Sequence, residues 1–368
     1  MMNKRTSKYI LLSVFLILSA LLLIGTAILH TNPLVLDASS TSEKKDFIKW
    51  VNFDVSSRAL ERAYKYDVES RDWEVKINWI ELLALLGNKY GGDFSRYKET
   101  DMTAIVEKLK SKEATIESLS QNMKYYHYYH DAYEAVLGGL VGPYKIEVPD
   151  ENAPGGKRWE EKYGLKAFLP LAKYYPYSHF DDFGVSRSYG FKRKHLGHDM
   201  MGQTGTPVIA VESGYVEALG WNQYGGWRIG IRSFDKKRYY YYAHLRKNFP
   251  YQKGLEVGSI VQAGDVIGYL GRTGYSSSEN SNNIRTSHLH FGMQLIFDES
   301  QKESNSEIWI DCYDLVQFLY RNRCETVKNT ETKEYHRVYQ MVDPIAEYYI
   351  KHSIYQYDDQ DIRIRIYE

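Results

Sequence analysis

The order of apolar and polar positions divides the chain into distinct textures. Residues 9–29, YILLSVFLILSALLLIGTAIL, run for 21 positions without a charge, about the ~20 residues an α-helix needs to cross a hydrocarbon core. Lys4, Arg5 and Lys8 precede this run, and the first charge after it is Asp37. By the positive-inside asymmetry this predicts a cytoplasmic stretch at 1–8, a single-pass membrane anchor at 9–29, and C-terminal domains outside the cell membrane. Gly25-Thr26-Ala27 offers small residues for signal cleavage. The apolar run continues past Ala27, however, so an uncleaved anchor is expected. Residues 30–44, with Pro33 and the run Ala38-Ser39-Ser40-Thr41-Ser42, read as a linker.

Between 45 and 140 the apolar period becomes helical: Trp79, Leu82, Leu83 and Leu86, then Ile105, Leu109, Ile116 and Leu119. This predicts a module of three to five helices. Gly91-Gly92 breaks the first pattern, and Asp101 is expected to cap the helix that follows. Pro143, Pro149, Pro154 and Gly155-Gly156 then predict a linker at 141–158. Beyond it lie short β-rich runs separated by glycine, at 208–211, 228–231, 238–242, 266–270 and 290–297. They predict an antiparallel β domain at 159–323, with a helix at 311–320, before a polar, tyrosine-rich extension at 324–368. The expected fold class is α+β: a membrane helix, a helical module and an antiparallel β domain.

Composition narrows the function. Lys plus Arg and Asp plus Glu each total 47, so no overall basic field exists to neutralise a nucleic-acid backbone, and no nucleic-acid partner is expected. Cys312 and Cys324 are too few for a disulfide framework or a cysteine zinc site, and both are read as unpaired. A metal would have to be held by histidine and carboxylate.

Histidine supplies the candidate chemistry. In His288-Leu289-His290 the period of a strand puts both imidazoles on one face and Leu289 on the other. His195 and Asp199 are four apart around Gly197, a spacing that lets a loop bring one nitrogen and one carboxylate oxygen to the same ion. His244 in YYAHL and His198 complete the set. Two histidines and a carboxylate, with a fourth position open to water, match a catalytic zinc site. His127, His130 and Glu134 share a helical face in the first module, but an aromatic stripe such as Tyr125 to Tyr129 is more commonly core. There is no HExxH helix motif and no GxSxG elbow.

These residues also carry a resemblance. The chain from about 183 to 297 resembles the LytM/lysostaphin-type metallopeptidases, the M23 family. The family's HxxxD motif appears as His195-Leu196-Gly197-His198-Asp199, followed by Gly205-Thr206-Pro207-Val208 and Ser213-Gly214-Tyr215-Val216. Its central histidine matches Tyr242-Ala243-His244-Leu245, its glycine signature 258–268 and Gly271-Arg272-Thr273-Gly274, and its HxH motif His288-Leu289-His290. The resemblance implies that His195, Asp199 and His290 bind one Zn2+, that His244 and His288 are catalytic, and that His198 is a surface or supporting residue. It further implies an endopeptidase acting on the stem peptides or cross-bridges of bacterial peptidoglycan. The alternative is a non-enzymatic or partner-dependent LytM-like module that binds or activates other wall or sporulation machinery, to which the full set of five site residues lends little support.

Overall fold

The computed structural model describes residues 47–188, 192–353 and 365–366. Five helices come first: α1 (Ser57–Glu69), α2 (Trp79–Tyr90), α3 (Glu99–Lys110), α4 (Ile116–Ser120) and α5 (Tyr126–Leu137). α2 starts where the Asn78 side chain accepts from the Ile80 N–H at 2.8 Å, and it stops at Gly91, whose left-handed φ of 65° costs glycine little. Leu82, Leu83, Ala84, Leu85 and Leu86 are all buried, so α2 is enclosed on most sides. Gly87 lets α5 approach: a Cβ there would sit 2.9 Å from the Tyr133 hydroxyl oxygen. Asp101 does not cap α3. It lies inside the first turn, where it accepts from the Tyr90 hydroxyl at 2.6 Å and pairs with Lys89 at 2.8 Å.

The expected single-pass membrane placement is corrected here. Among the described residues no helix is long and apolar enough to cross a membrane, and the apolar run 9–29 that motivated the expectation lies outside them.

The stretch expected as a linker at 141–158 is instead a hairpin of β1 (Val141–Pro149) and β2 (Lys157–Leu165), with Pro154–Gly156 at its turn. β1 pairs with β2 along its whole length but with β17 (Met341–Val342) only at Lys145 and Ile146. Pro143 and Pro149 lie outside that second pairing, where a missing N–H is harmless.

Next come β3 (Tyr177–His179), β4 (Ser186–Ser188), β5 (Lys192–Lys194), β6 (His198–Gly202), β7 (Pro207–Ile209), β8 (Gly214–Asn222) and β9 (Gly226–Ser233). β10 (Arg238–Ala243), β11 (Ser259–Val261), β12 (Val266–Tyr269), β13 (His288–Leu295) and β14 (Ile308–Ile310) follow. The main sheet runs β11-β8-β9-β10-β13-β6-β3, antiparallel throughout this stretch, with β14 added beside β13. β13 alternates sharply. Leu289, Phe291, Met293 and Leu295 are fully buried, while His288, His290 and Gln294 stand on the opposite face.

That core face is shared with the helices. Phe291 of β13, Leu83 of α2 and Phe318 of α6 (Tyr313–Leu319) belong to one hydrophobic cluster. The Phe318 ring lies 5.8 Å from Trp79 and 5.7 Å from Tyr64. Arg238, 1% exposed, donates to Glu212 at 2.7 Å and to the Ala135 carbonyl at the end of α5 at 2.8 Å.

After α6, β15 (Thr326–Lys328) and β16 (Tyr335–Arg337) form a hairpin, and α7 (Pro344–Ser353) follows β17. This part of the C-terminal extension packs onto the β domain: Arg337 donates to the Ala263 carbonyl at 2.9 Å, and Lys166 pairs with buried Asp343 at 2.9 Å. Cys312 and Cys324 are free and buried.

Candidate metal centre

Three elements bring the donor atoms together. β6 and β13 pair so that His290 lies directly opposite Asp199. The loop before β6 carries His195, whose N–H donates to the Val185 carbonyl at 2.9 Å. The loop can pass this close because residue 197 is glycine: a Cβ there would be 2.5 Å from the His290 ring. His195 Nε2 then lies 3.0 Å from Asp199 Oδ1 and 3.1 Å from His290 Nδ1, with Asp199 Oδ1 2.9 Å from His290 Nδ1. This is the one group of metal-capable donors among the described residues, and it is largely buried.

The donor set has the spacing and chemistry of a metal site. The three sides of the triangle approach the ~3.3 Å spacing of ligands held at ~2.0 Å around a tetrahedral ion. The His195 Nδ1–H donates to the Asp182 carbonyl at 3.2 Å, which turns the bare lone pair of Nε2 toward the cluster. Arg187 holds Asp182 and also the outer oxygen Oδ2 of Asp199, the latter at 3.3 Å, leaving Oδ1 for the centre. Burial opposes ionisation of Asp199, but the adjoining His195 and His290 imidazoles outweigh it and hold the carboxyl well below its usual range. Burial pushes His290 down toward its neutral form. His195 is pushed down by burial but raised overall by Asp199. One hydrogen cannot satisfy three converging acceptors, whereas one divalent cation can, and the donor set fits zinc.

His244 and His288 flank this triangle without joining it. His288 Nδ1 donates to the Thr286 carbonyl at 2.8 Å, and His244 Nδ1 to the Thr273 carbonyl at 3.0 Å. Each ring is thereby fixed with a bare Nε2. His288 Nε2 stands 3.7 Å from Asp199 Oδ1, and the two rings are 4.8 Å apart. Burial and the neighbouring imidazoles push His244 well below its ordinary value. His244 also has a φ of 62°, a left-handed backbone uncommon outside glycine.

The remaining candidates fall elsewhere. His198 is neither exposed nor beside the donors: it is 1% exposed and faces the other side of β6, with its Nε2 2.7 Å from His179 Nδ1. Burial and His179 push it down to about 3. His127, His130 and Glu134 converge on no metal-capable group; His127 is exposed and His130 lies near Asp131. Sequence reading missed Asp182, Arg187 and the carbonyls of Thr273 and Thr286. The carbonyls leave no side-chain signal, and Asp182 precedes His195 by a loop with no fixed spacing.

An antiparallel β domain whose sheet face carries a buried His/Asp/His donor set, flanked by two further imidazoles, defines the metallopeptidase class. Residues 193–304 match the model for Peptidase family M23, and this part of the chain is an M23 peptidase domain. The chain is 41% identical over 130 residues to the L-Ala--D-Glu endopeptidase of Bacillus subtilis, covering 35% of this chain and 38% of that protein. It is 38% identical over 98 residues to the glycyl-glycine endopeptidase ALE-1 of Staphylococcus capitis, covering 26% of this chain and 24% of that one. The catalytic domain of lysostaphin from Staphylococcus simulans is similar at 31% identity and a TM-score of 0.30, covering 38% of this chain and 92% of that one. The chain thus spans well under half the length of these curated relatives.

Proposed function

We propose that this chain is a zinc endopeptidase that hydrolyses peptide bonds of bacterial peptidoglycan, with His195, Asp199 and His290 as metal ligands and His244 and His288 as catalytic residues. The observation that carries this reading is the convergence of His195 Nε2, Asp199 Oδ1 and His290 Nδ1 beside two further imidazoles with bare Nε2 atoms. When bound there, zinc supplies a Lewis acid for the scissile carbonyl and lowers the pKa of a bound water toward ~7.

The chain's own residues do the rest. His244 and His288, held off the triangle by the carbonyls of Thr273 and Thr286, present unprotonated nitrogens that accept a proton from the attacking water. The imidazolium so formed can return that proton to the leaving amine or donate to the developing oxyanion. Burial keeps His244 neutral at rest. Asp199, kept ionised, lowers the charge of the centre and favours retention of a divalent ion.

The named relatives cut an L-Ala–D-Glu bond in one case and a glycyl-glycine bond in the other. Digestion of purified peptidoglycans with different cross-link chemistry, followed by mass spectrometry of the released muropeptides, tests the reading. Release of new amino and carboxyl termini that stops on chelation is expected. No release from any wall type by zinc-loaded protein would refute the proposal.

A further inference from the structure

The site face of β13 continues past His290 into a cavity of about 310 Å³, lined among others by Tyr239, Tyr241, Trp309, Arg228 and Gln294. Aromatic rings supply its walls, but two donors in it have nothing to hold. Gln294 is 2% exposed, and its Nε2 has no hydrogen-bond partner. An orphaned buried amide is costly, so its retention needs an explanation. The Nε of Arg228 is likewise buried without a partner, and among the described residues its guanidinium enters no ion pair.

Other charges at the cavity are committed or peripheral. Lys302 pairs with Glu217 at 2.8 Å, the Glu307 carboxylate accepts from Trp309 Nε1 at 2.8 Å, and Glu303 is exposed at the rim. The donors left over are an amide N–H and a planar guanidinium fork. The guanidinium suits a planar two-oxygen anion, which it binds through paired hydrogen bonds, and the amide stands farther along the same cavity, four residues from His290 on β13 and opposite Tyr239.

Register sets the distance from the reacting centre. His290 is opposite Ala243, and Tyr242 is opposite Ile229, so Arg228 follows next on the far side of small Ala243. Two strand spacings of ~4.8 Å separate the Arg228 and His290 backbones by about 10 Å, and an extended peptide advances ~3.3 Å per residue.

We infer that Arg228 forms a carboxylate-binding subsite that selects peptides bearing a free carboxylate within a residue or two of the scissile bond, with Gln294 as a second donor in the same cavity. Both are specificity residues; neither reaches the reacting atoms. The inference rests on the endopeptidase reading and names the substrate class that the site takes.

The test uses the full chain, zinc-loaded, with two synthetic peptidoglycan stem peptides. They are identical except that the D-Glu carboxylate is free in one and a carboxamide in the other. The free acid should be cut with a kcat/KM roughly 10- to 100-fold higher, expressed mainly in KM, as expected for a charge-assisted hydrogen-bond pair. Arg228→Gln should cut the two peptides alike with zinc content unchanged, Arg228→Lys should restore part of the preference, and Gln294→Leu should narrow it. Calorimetric binding of both peptides to chelated protein gives a readout free of turnover.

Equal handling of the two peptides by the unmodified chain, or a preference that survives Arg228→Gln, would overturn the inference. If zinc-loaded protein cuts neither peptide nor any wall, the peptidase reading fails, and the binding measurement alone decides the subsite: preference for the free acid sustains it and equal binding removes it.

Discussion

At the scale of single residues, the proposed ligands and the proposed proton carriers separate experimentally. Replacing His195, Asp199 or His290 by Ala removes a donor from the triangle, so zinc content by elemental analysis and muropeptide release are expected to fall together. His244→Ala and His288→Ala leave three donors; zinc is expected to stay near one equivalent while turnover drops by roughly 10²–10⁴-fold. Acid stability is set by the buried imidazoles. His198, His244, His290 and His179 have pKa values lowered by burial, so below the unfolded value of about 6.5 the unfolded chain binds more protons than the folded one. The contribution of these four is therefore full above that value and lost as pH falls, opposed in part by His195, whose raised value adds stability as pH falls. Asp199 adds nothing in this window, because its carboxyl is ionised there in the folded and the unfolded chain alike. His198 alone is expected to account for about 2 kcal/mol between pH 6.5 and 5. Urea unfolding of the chelated protein at those two pH values measures it, and a constant midpoint would refute the assignment.

The donor residues were legible because their signals are local. HLH is a strand period, and the four-residue spacing of His195 and Asp199 needs only one loop. The residues that aim them were not. Thr273 reaches His244 across 29 positions through a backbone carbonyl, which no side-chain pattern announces.

At the scale of elements, that carbonyl is set by a close crossing. Gly226, at the start of β9 with a φ of 66°, lies so near the 273–274 backbone that a Cβ would sit 2.3 Å from the Thr273 carbonyl carbon. Gly226→Ala is expected to push the segment away and unfix the His244 ring. Turnover should fall at least ~10-fold with zinc retained, since none of the three donors is touched. A variant with full activity would show that His244 needs no such anchor. The helices around Trp79 to Leu86 and Ile105 to Leu109 were readable from their 3.6-residue period, and β13 from its alternation. The β1–β2 hairpin was not, because prolines at unpaired edge positions look the same in sequence as prolines in a linker.

At the scale of the whole molecule, the described residues from Phe47 onward form one compact unit, where sequence texture had suggested separable modules. Change of texture marks a change of element type, not the edge of a core, and one apolar cluster runs through both parts. Arg238→Met would leave Glu212 buried beside α5 without its cation and is expected to cost about 3–5 kcal/mol. Hydrogen exchange followed by mass spectrometry should show peptides from α2 and from β9 losing protection at the same denaturant concentration in both proteins. Separate midpoints would show that the two parts unfold independently.

Arg238 opens the strand that ends at Ala243, one residue before His244. The bond that fastens this strand to the last turn of α5 thus lies on the same seven-residue lever as the imidazole proposed to be catalytic. A protease that nicks the helical segment need never reach the metal to silence it: losing α5 frees the far end of the lever, and the peptidase is expected to lose activity at the rate of that distant cut.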